Sequence, residues 1–123
     1  MTPYDDVGGE PKLRELVKRF YVLMDTLPEA KACRDSHPPD LSGAEEKLFE
    51  YLSGWLGGPP LFTDKYGAPM LRRRHLTAPI GASEAEEWLL CFRQAWAEVI
   101  PEERLATAIL PQIEALGQHM VNR

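Results

Sequence analysis

The stretch MLRRRHLTAPIG, residues 70–81, places three consecutive arginines before a histidine, with apolar residues on both sides. Pro69 suits the first position of a helix and Pro79 cannot continue one, so the stretch predicts a helix of about two turns. A helix this short is not stable by itself in water, because nucleation is unfavourable and little length follows to offset it. Something must therefore hold the segment, in which His75 shares a helix face with Leu71.

Apolar residues at helical spacing indicate helices along most of the chain. They recur from residue 10 to residue 27, and Pro28 stops or redirects the helix there. Residues 2–9 predict one helical turn ended by two glycines, and residues 28–33 predict a second short turn. Residues 34–41 form a loop by composition.

Two later helices are predicted from a reciprocal capping pattern, in which a serine is followed three residues later by a glutamate. Ser42 with Glu45 starts the first of them, which paired glycines end before an extended loop over residues 59–68. Ser83 with Glu86 starts the second, and a proline closes it.

The last apolar stripe, over residues 105–120, contains Pro111, which is expected to kink or divide that helix. No strand-like alternation competes anywhere, so the predicted class is all-α, without internal repeats. A chain of 123 residues with 44% hydrophobic content fits one domain, residues 1–123, around a single core.

Composition restricts the function classes. A net charge of −5 and a pI near 5.2 oppose nucleic-acid binding, and one arginine triplet suits a ligand with one or two anionic groups. The chain has no membrane-length apolar run and its N-terminus does not resemble an export signal, so a cytoplasmic protein is expected. Cys33 and Cys91 fit no metal-ligand spacing and are predicted to be reduced thiols.

Three further polar or aromatic side chains stand out, because buried phenol, imidazole and indole groups need hydrogen-bond partners. Tyr21, His37 and Trp88 come from different segments and could converge on the cavity that His75 faces. Tyr21 and Trp88 also have ordinary structural interpretations, as a phenol at the core edge and a core-filling tryptophan, and His75 has one as a satisfied core or surface histidine. The positions of His37, His75 and His119 are too scattered to indicate a metal site by spacing.

The fragments YDDVGGE, RFY, LSGAEEKL, WLGGPP, RRRH and EWLLCF resemble those of the truncated haemoglobins in order and spacing, and Trp88 points to group II. The resemblance covers nearly the whole chain. It implies a truncated globin fold, with two-over-two helix pairs packed across haem b and His75 as the proximal iron ligand. An iron–imidazole bond would hold the short helix. For the haem propionates we favour Arg74, then Arg72, with Lys47 across the pocket as a further cation.

The same resemblance maps the ligand-facing donors onto Tyr21 and Trp88. The chain departs from the family at His37, where phenylalanine or tyrosine is usual. The imidazole is expected either to hydrogen-bond Tyr21 or to bind iron as a reversible sixth ligand, and a deprotonated Tyr21 is another ligand for ferric iron. Entry past Ala44 should be open. The other pocket contacts implied are Leu48, Phe62, Met70, Leu71 and Ile80.

The function implied is the binding or transport of O2, and of CO and NO, at a pentacoordinate or reversibly hexacoordinate iron. Peroxide or nitric oxide redox chemistry is a further expected role, which would need an unidentified electron donor. We expect no nucleic-acid or membrane partner, and a monomer or weak homodimer. Two alternatives stay open: a cofactor-free helical interaction module, and a nucleic-acid binder that uses RRRH and weakens steeply with salt.

Overall fold

The computed structural model describes residues 2–70 and 80–122, and every regular element within these ranges is helical. The predicted all-α class is therefore confirmed. The helix predicted from Pro69 onward falls almost entirely outside the described residues, as do the predicted site residues on it: Leu71, Arg72, Arg74 and His75.

The N-terminal turn is confirmed as helix α1, Pro3–Val7, which leads directly into helix α2, Gly9–Thr26. Gly8 joins them with a φ of 114°, a conformation that a residue with a Cβ adopts only with strain. Thr2 and Asp5 cap α1 reciprocally. A glycine thus separates α1 from the long amphipathic helix α2, which lies where the sequence predicts it.

The short turn predicted after α2 consists of two pieces. A 3₁₀ turn spans Pro28–Ala30, and helix α3 spans Lys31–Asp35. The loop predicted from residue 34 begins after α3 ends, two residues later than expected.

Helix α4 spans Ser42–Trp55, close to its predicted extent, but the predicted cap is wrong. Leu41 occupies the N-cap position and Ser42 is already helical. Asp40 lies two residues before Ser42, and its Oδ1 accepts the Ser42 N–H at 2.9 Å. The aspartate therefore satisfies a first-turn amide in place of the predicted serine–glutamate pair.

Helix α5, Leu61–Tyr66, corrects the prediction of an extended loop over residues 59–68. Six residues are too few for a helix to be stable alone, so tertiary contacts decide this segment. Phe62 is buried and meets Tyr51 of α4 edge-on, with ring centroids 6.1 Å apart. Lys65 pairs with Glu50 of α4 at 3.0 Å. Contacts with α4, which local spacing does not reveal, hold α5 in place.

Helix α6 spans Ala82–Val99, and its predicted serine cap is also wrong. Gly81 is the N-cap residue, and its carbonyl accepts the Ala85 N–H at 3.1 Å. The first turn therefore begins before Ser83, which lies inside the helix.

Helix α7 spans Glu103–His119 and contains Pro111 without being divided there. Proline removes one backbone hydrogen bond from a helix interior. Buried side chains on either side, Leu105, Ile109 and Ile113, keep both halves packed on the core. The predicted division is therefore wrong, because the apolar stripe continues through the proline.

The long helices form two stacked pairs. Helix α2 packs against α4, α6 packs against α7, and α2 also packs closely on α6. This is the predicted two-over-two arrangement. Among residues 2–70 and 80–122, no helix is both long and apolar enough to cross a membrane.

The two cysteines lie inside this core as free thiols, as predicted. Burial raises the pKa of Cys33 to about 12 and that of Cys91 to about 11. Both thiols therefore stay protonated at neutral pH, and they behave as small apolar side chains.

Candidate functional site

A cavity of about 680 Å³ lies between the helices, with walls from α2, the α3 region, α4, α5, α6 and α7. That volume is typical of sites for small molecules and cofactors, which span about 300–1,000 Å³. Eight of the site residues predicted from the sequence lie in its wall: Tyr21, His37, Ala44, Lys47, Leu48, Phe62, Ile80 and Trp88.

Met70, also predicted as a site residue, is not among the described residues that line the cavity. It is 52% exposed, and its φ of 40° is in the left-handed region that few residues other than glycine adopt. Ile80, by contrast, is anchored to the C-terminal end of the chain by two hydrogen bonds to Asn122, at 2.8 and 3.0 Å. The role of Met70 in the site stays a prediction.

Tyr21 projects from α2 and is 7% exposed. Its hydroxyl donates to the carbonyl of Ala44 at 3.4 Å, a long and therefore weak hydrogen bond. Burial raises the pKa of the Tyr21 phenol, and the nearby Cys33 and Glu45 raise it further. The phenol accordingly keeps its proton and can act as a donor, whereas a phenolate would be costly in these surroundings.

Trp88 projects from α6 within a cluster of aromatic rings. It stacks on Phe92 with centroids 5.3 Å apart and rings 14° from parallel, and it meets Phe20 edge-on at 5.0 Å. Phe20 also meets Tyr21 edge-on at 4.8 Å. Since Phe20 and Phe92 are fully buried, their packing fixes both cavity-lining rings. The indole of Trp88 carries an N–H that can only donate.

His37 lies in the loop just after α3, with its ring centroid 6.1 Å from that of Tyr21. Its Nδ1 lies 2.8 Å from the carbonyl oxygen of Cys33. A carbonyl oxygen can only accept, so Nδ1 carries the proton and, in the neutral imidazole, Nε2 bears the lone pair. Either expected role of His37, as an acceptor or as a metal ligand, would use that lone pair.

The wall also contains residues that were not assigned to the site from the sequence. Leu116 and Met120 belong to a helical stripe that was recognised, so continuing the stripe toward the pocket could have found them. Tyr66 lies on α5. The sequence signal for that helix was a short run with apolar residues directly after two prolines. Tyr51 likewise belongs to the apolar stripe of α4 that includes Ala44 and Leu48. The remaining unassigned positions carry no such pattern; examples are Cys33, Ser36, Glu84 and Gly117.

The described residues fit a haem, which is a flat apolar ring with anionic propionates at its edge. Leu48, Phe62 and Ile80 offer apolar contacts, and Lys47 offers a cation on the cavity wall. Within residues 2–70 and 80–122, no three His, Cys, Asp or Glu side chains cluster as a metal site.

Two stacked helix pairs around a cavity lined by phenol, imidazole and indole groups define a small globin. The family model of the bacterial-like globins matches residues 2–122. The chain belongs to that family, and the resemblance inferred from its sequence motifs is confirmed.

Known proteins place the chain near the group II truncated haemoglobins. It is similar to a group II 2-on-2 haemoglobin from Agrobacterium tumefaciens, with 54% identity, a TM-score of 0.97 and coverage of 99% of this chain and 95% of that one. A truncated oxygen-avid haemoglobin from Bacillus subtilis is 37% identical, with a TM-score of 0.89 and coverage of 99% and 100%. The group 2 truncated haemoglobin YjbI of Bacillus subtilis (strain 168) is 37% identical over 122 residues, 99% of this chain and 89% of that protein.

Proposed function

We propose that the chain is a cytoplasmic, single-domain haem b protein that binds O2, CO and NO in the cavity between its helix pairs. One observation carries the proposal: a phenol, an imidazole and an indole from three separate elements line one cavity. The membership of the globin family and the similarity to an oxygen-avid haemoglobin support it.

His75 is proposed as the proximal iron ligand, although it lies outside the described residues. When bound, the haem would supply an iron with a coordination position for a diatomic ligand. Arg74, then Arg72, and Lys47 are proposed to neutralise the propionates, since a buried or half-buried carboxylate needs a nearby cation. The proposed apolar and gate contacts are Ala44, Leu48, Phe62, Met70, Leu71 and Ile80.

Tyr21 and Trp88 are proposed to donate hydrogen bonds to the ligand. A ligand that draws electron density from iron becomes a partly charged acceptor, and a hydrogen bond to such an acceptor contributes about 1.5–3 kcal/mol. At about 1.4 kcal/mol per factor of ten, one such donor slows ligand release roughly tenfold to a hundredfold. Two donors favour retention of O2, or chemistry on it, over delivery.

His37 is proposed either to accept a hydrogen bond from the Tyr21 hydroxyl while no diatomic ligand is bound, since the phenol has only one proton to donate, or to bind iron reversibly as a sixth ligand. Both roles use the Nε2 lone pair that the Nδ1 contact with Cys33 implies. We favour the first role, because it needs no rearrangement of the loop.

Peroxide or nitric oxide turnover is proposed as a working role, because polar donors beside a ligand favour reactions that build up charge on it. Sustained turnover would need an electron donor of unidentified nature. We propose that the chain acts as a monomer or weak homodimer.

The test is optical titration of the purified chain with hemin. Stoichiometric uptake with an intense Soret band is expected. His75→Gly should lose most of that band and added imidazole should restore it, whereas His119→Gly, at an exposed position, should leave it unchanged. A folded, colourless protein that takes up no hemin would instead support the cofactor-free helical interaction module.

A further inference from the structure

The short helix α3 brings three residues to the cavity wall: Cys33 lies on it, and Ser36 and His37 follow it. Helix α3 has only five residues and cannot be stable alone. Its N-cap position is occupied by Ala30, whose methyl group cannot accept a hydrogen bond from the first-turn amides. Whatever fixes α3, and with it His37, must come from another part of the fold.

A carboxylate on α6 supplies the missing acceptor. The Oε1 of Glu87 accepts the backbone N–H of Cys33 at 2.8 Å, across 54 residues of sequence. Cys33 is the third residue of α3, where a capping side chain would normally find its donor. Since Glu87 directly precedes Trp88, the helix that supplies the indole to the cavity also holds α3.

The backbone carbonyl oxygen of Cys33 also accepts hydrogen bonds from the two residues that follow α3. It accepts the Ser36 N–H at 3.1 Å and the Ser36 hydroxyl at 2.6 Å. The same oxygen accepts the Nδ1–H of His37 at 2.8 Å. Three donors thus converge on one oxygen, so the position of the Cys33 backbone sets both the place and the tautomer of the His37 ring.

We propose that Glu87 is a positioning residue for His37 and acts through the backbone of Cys33. Its carboxylate anchors the Cys33 amide, the anchored carbonyl keeps the proton on His37 Nδ1, and the ring then presents its lone pair on Nε2. The function of that lone pair rests on the proposed haem site, whereas the hydrogen-bonded relay does not.

Because the relay needs an acceptor rather than a charge, the amide oxygen of a glutamine should replace the carboxylate. Glu87→Gln is therefore the conservative variant, and Glu87→Ala removes the acceptor. Glu87→Met keeps the length of the side chain without a strong acceptor, and it replaces the alanine variant if that one does not fold. Glu86→Ala is the matched control, because Glu86 is the exposed neighbour on the same helix.

The experiment is NMR of the full-length chain with ¹⁵N label, reduced under CO so that any bound haem is diamagnetic. Amide exchange reports the Cys33 N–H, and correlations within the imidazole ring report the tautomer of His37. Glu87→Ala should speed Cys33 exchange by about tenfold to a hundredfold and mix the tautomers of His37. Glu87→Gln and Glu86→Ala should retain slow exchange and the Nδ1–H form.

Two results would overturn the proposal. Unchanged Cys33 exchange in Glu87→Ala would mean that the anchoring bond does not form. Faster exchange with an unchanged His37 tautomer would mean that the ring is held without Glu87. Cys33 amide exchange and the His37 tautomer can both be measured whether or not the chain contains haem. The Soret band of the same samples tests the haem site separately.

Discussion

The cavity has two polar walls that are held in different ways. One, the aromatic wall, projects from the long helices α2 and α6 and consists of Tyr21 and Trp88, with the buried rings of Phe20 and Phe92 packed behind them. The other, the hydrogen-bonded wall, belongs to α3 and its following loop and consists of Cys33, Ser36 and His37. Side chains on long helices take their positions from core packing, whereas those beside a short helix depend on individual hydrogen bonds.

The energies of the two walls differ accordingly. Fully buried aromatic rings contribute several kilocalories per mole each, and their loss weakens the whole fold. A single hydrogen bond to a charged group contributes about 1.5–3 kcal/mol, and its loss can stay local. Damage to the aromatic wall should therefore appear in global stability, and damage to the hydrogen-bonded wall in the behaviour of the site.

The largest effect is expected for Phe92→Ala. Phe92 is 1% exposed and contacts Phe20, Trp88 and Trp96. Its truncation should lower the free energy of unfolding by about 3–5 kcal/mol, measured by urea titration.

The control for that measurement is Val22→Ala, at an α2 position that is 40% exposed and should change stability by less than about 1 kcal/mol. Similar losses in both variants would contradict the idea that the aromatic wall is held by its buried packing.

A smaller effect is expected from removing one donor of the aromatic wall and keeping its ring. Tyr21→Phe and Trp88→Phe should each raise the O2 dissociation rate by roughly tenfold to a hundredfold, because each removes one hydrogen bond to the ligand. Stopped-flow displacement of O2 by CO measures the rate. Tyr4→Phe removes a phenol outside the wall and serves as the control. If neither variant releases O2 faster, the proposed donor network is wrong.

The smallest effect is expected in the hydrogen-bonded wall. His37→Phe should leave the His75 bond intact but change the resting ferric or ferrous spectrum, because it removes an imidazole from the cavity. Resonance Raman spectroscopy of both oxidation states measures the low-spin fraction, with His119→Phe as the exposed control. A low-spin fraction equal to that of the unsubstituted protein would exclude His37 as the sixth ligand.

The aromatic wall was largely predictable. Apolar residues at helical spacing located α2 and α6 to within a few residues, and Tyr21 and Trp88 followed because each stands on or beside the buried stripe of its helix. Helical periodicity is a local property, so sequence spacing reports it directly.

The helix starts were less predictable. Ser42 and Ser83 both match the capping pattern, yet neither caps its helix, because Asp40 and the Gly81 carbonyl close those first turns instead. Several nearby groups compete for the same amides, and small differences in backbone geometry choose between them.

Local sequence patterns could predict neither helix α5 nor the hydrogen bond that anchors α3. The helical state of α5 depends on its contacts with Tyr51 and Glu50 of α4. The place of His37 depends on Glu87, which is 54 residues away from the amide it holds. No spacing rule connects such pairs, since their distance is set only after the long helices have packed.

The sequence by itself determined the helical class, the long amphipathic helices and the resemblance to the truncated haemoglobins, because periodicity and motif order are properties of the linear sequence. The tertiary structure alone decided the short helices, the tautomer of His37 and the shared wall of the cavity. Elements too short to be stable by themselves take their conformation from distant partners, and those partners meet only in the folded chain.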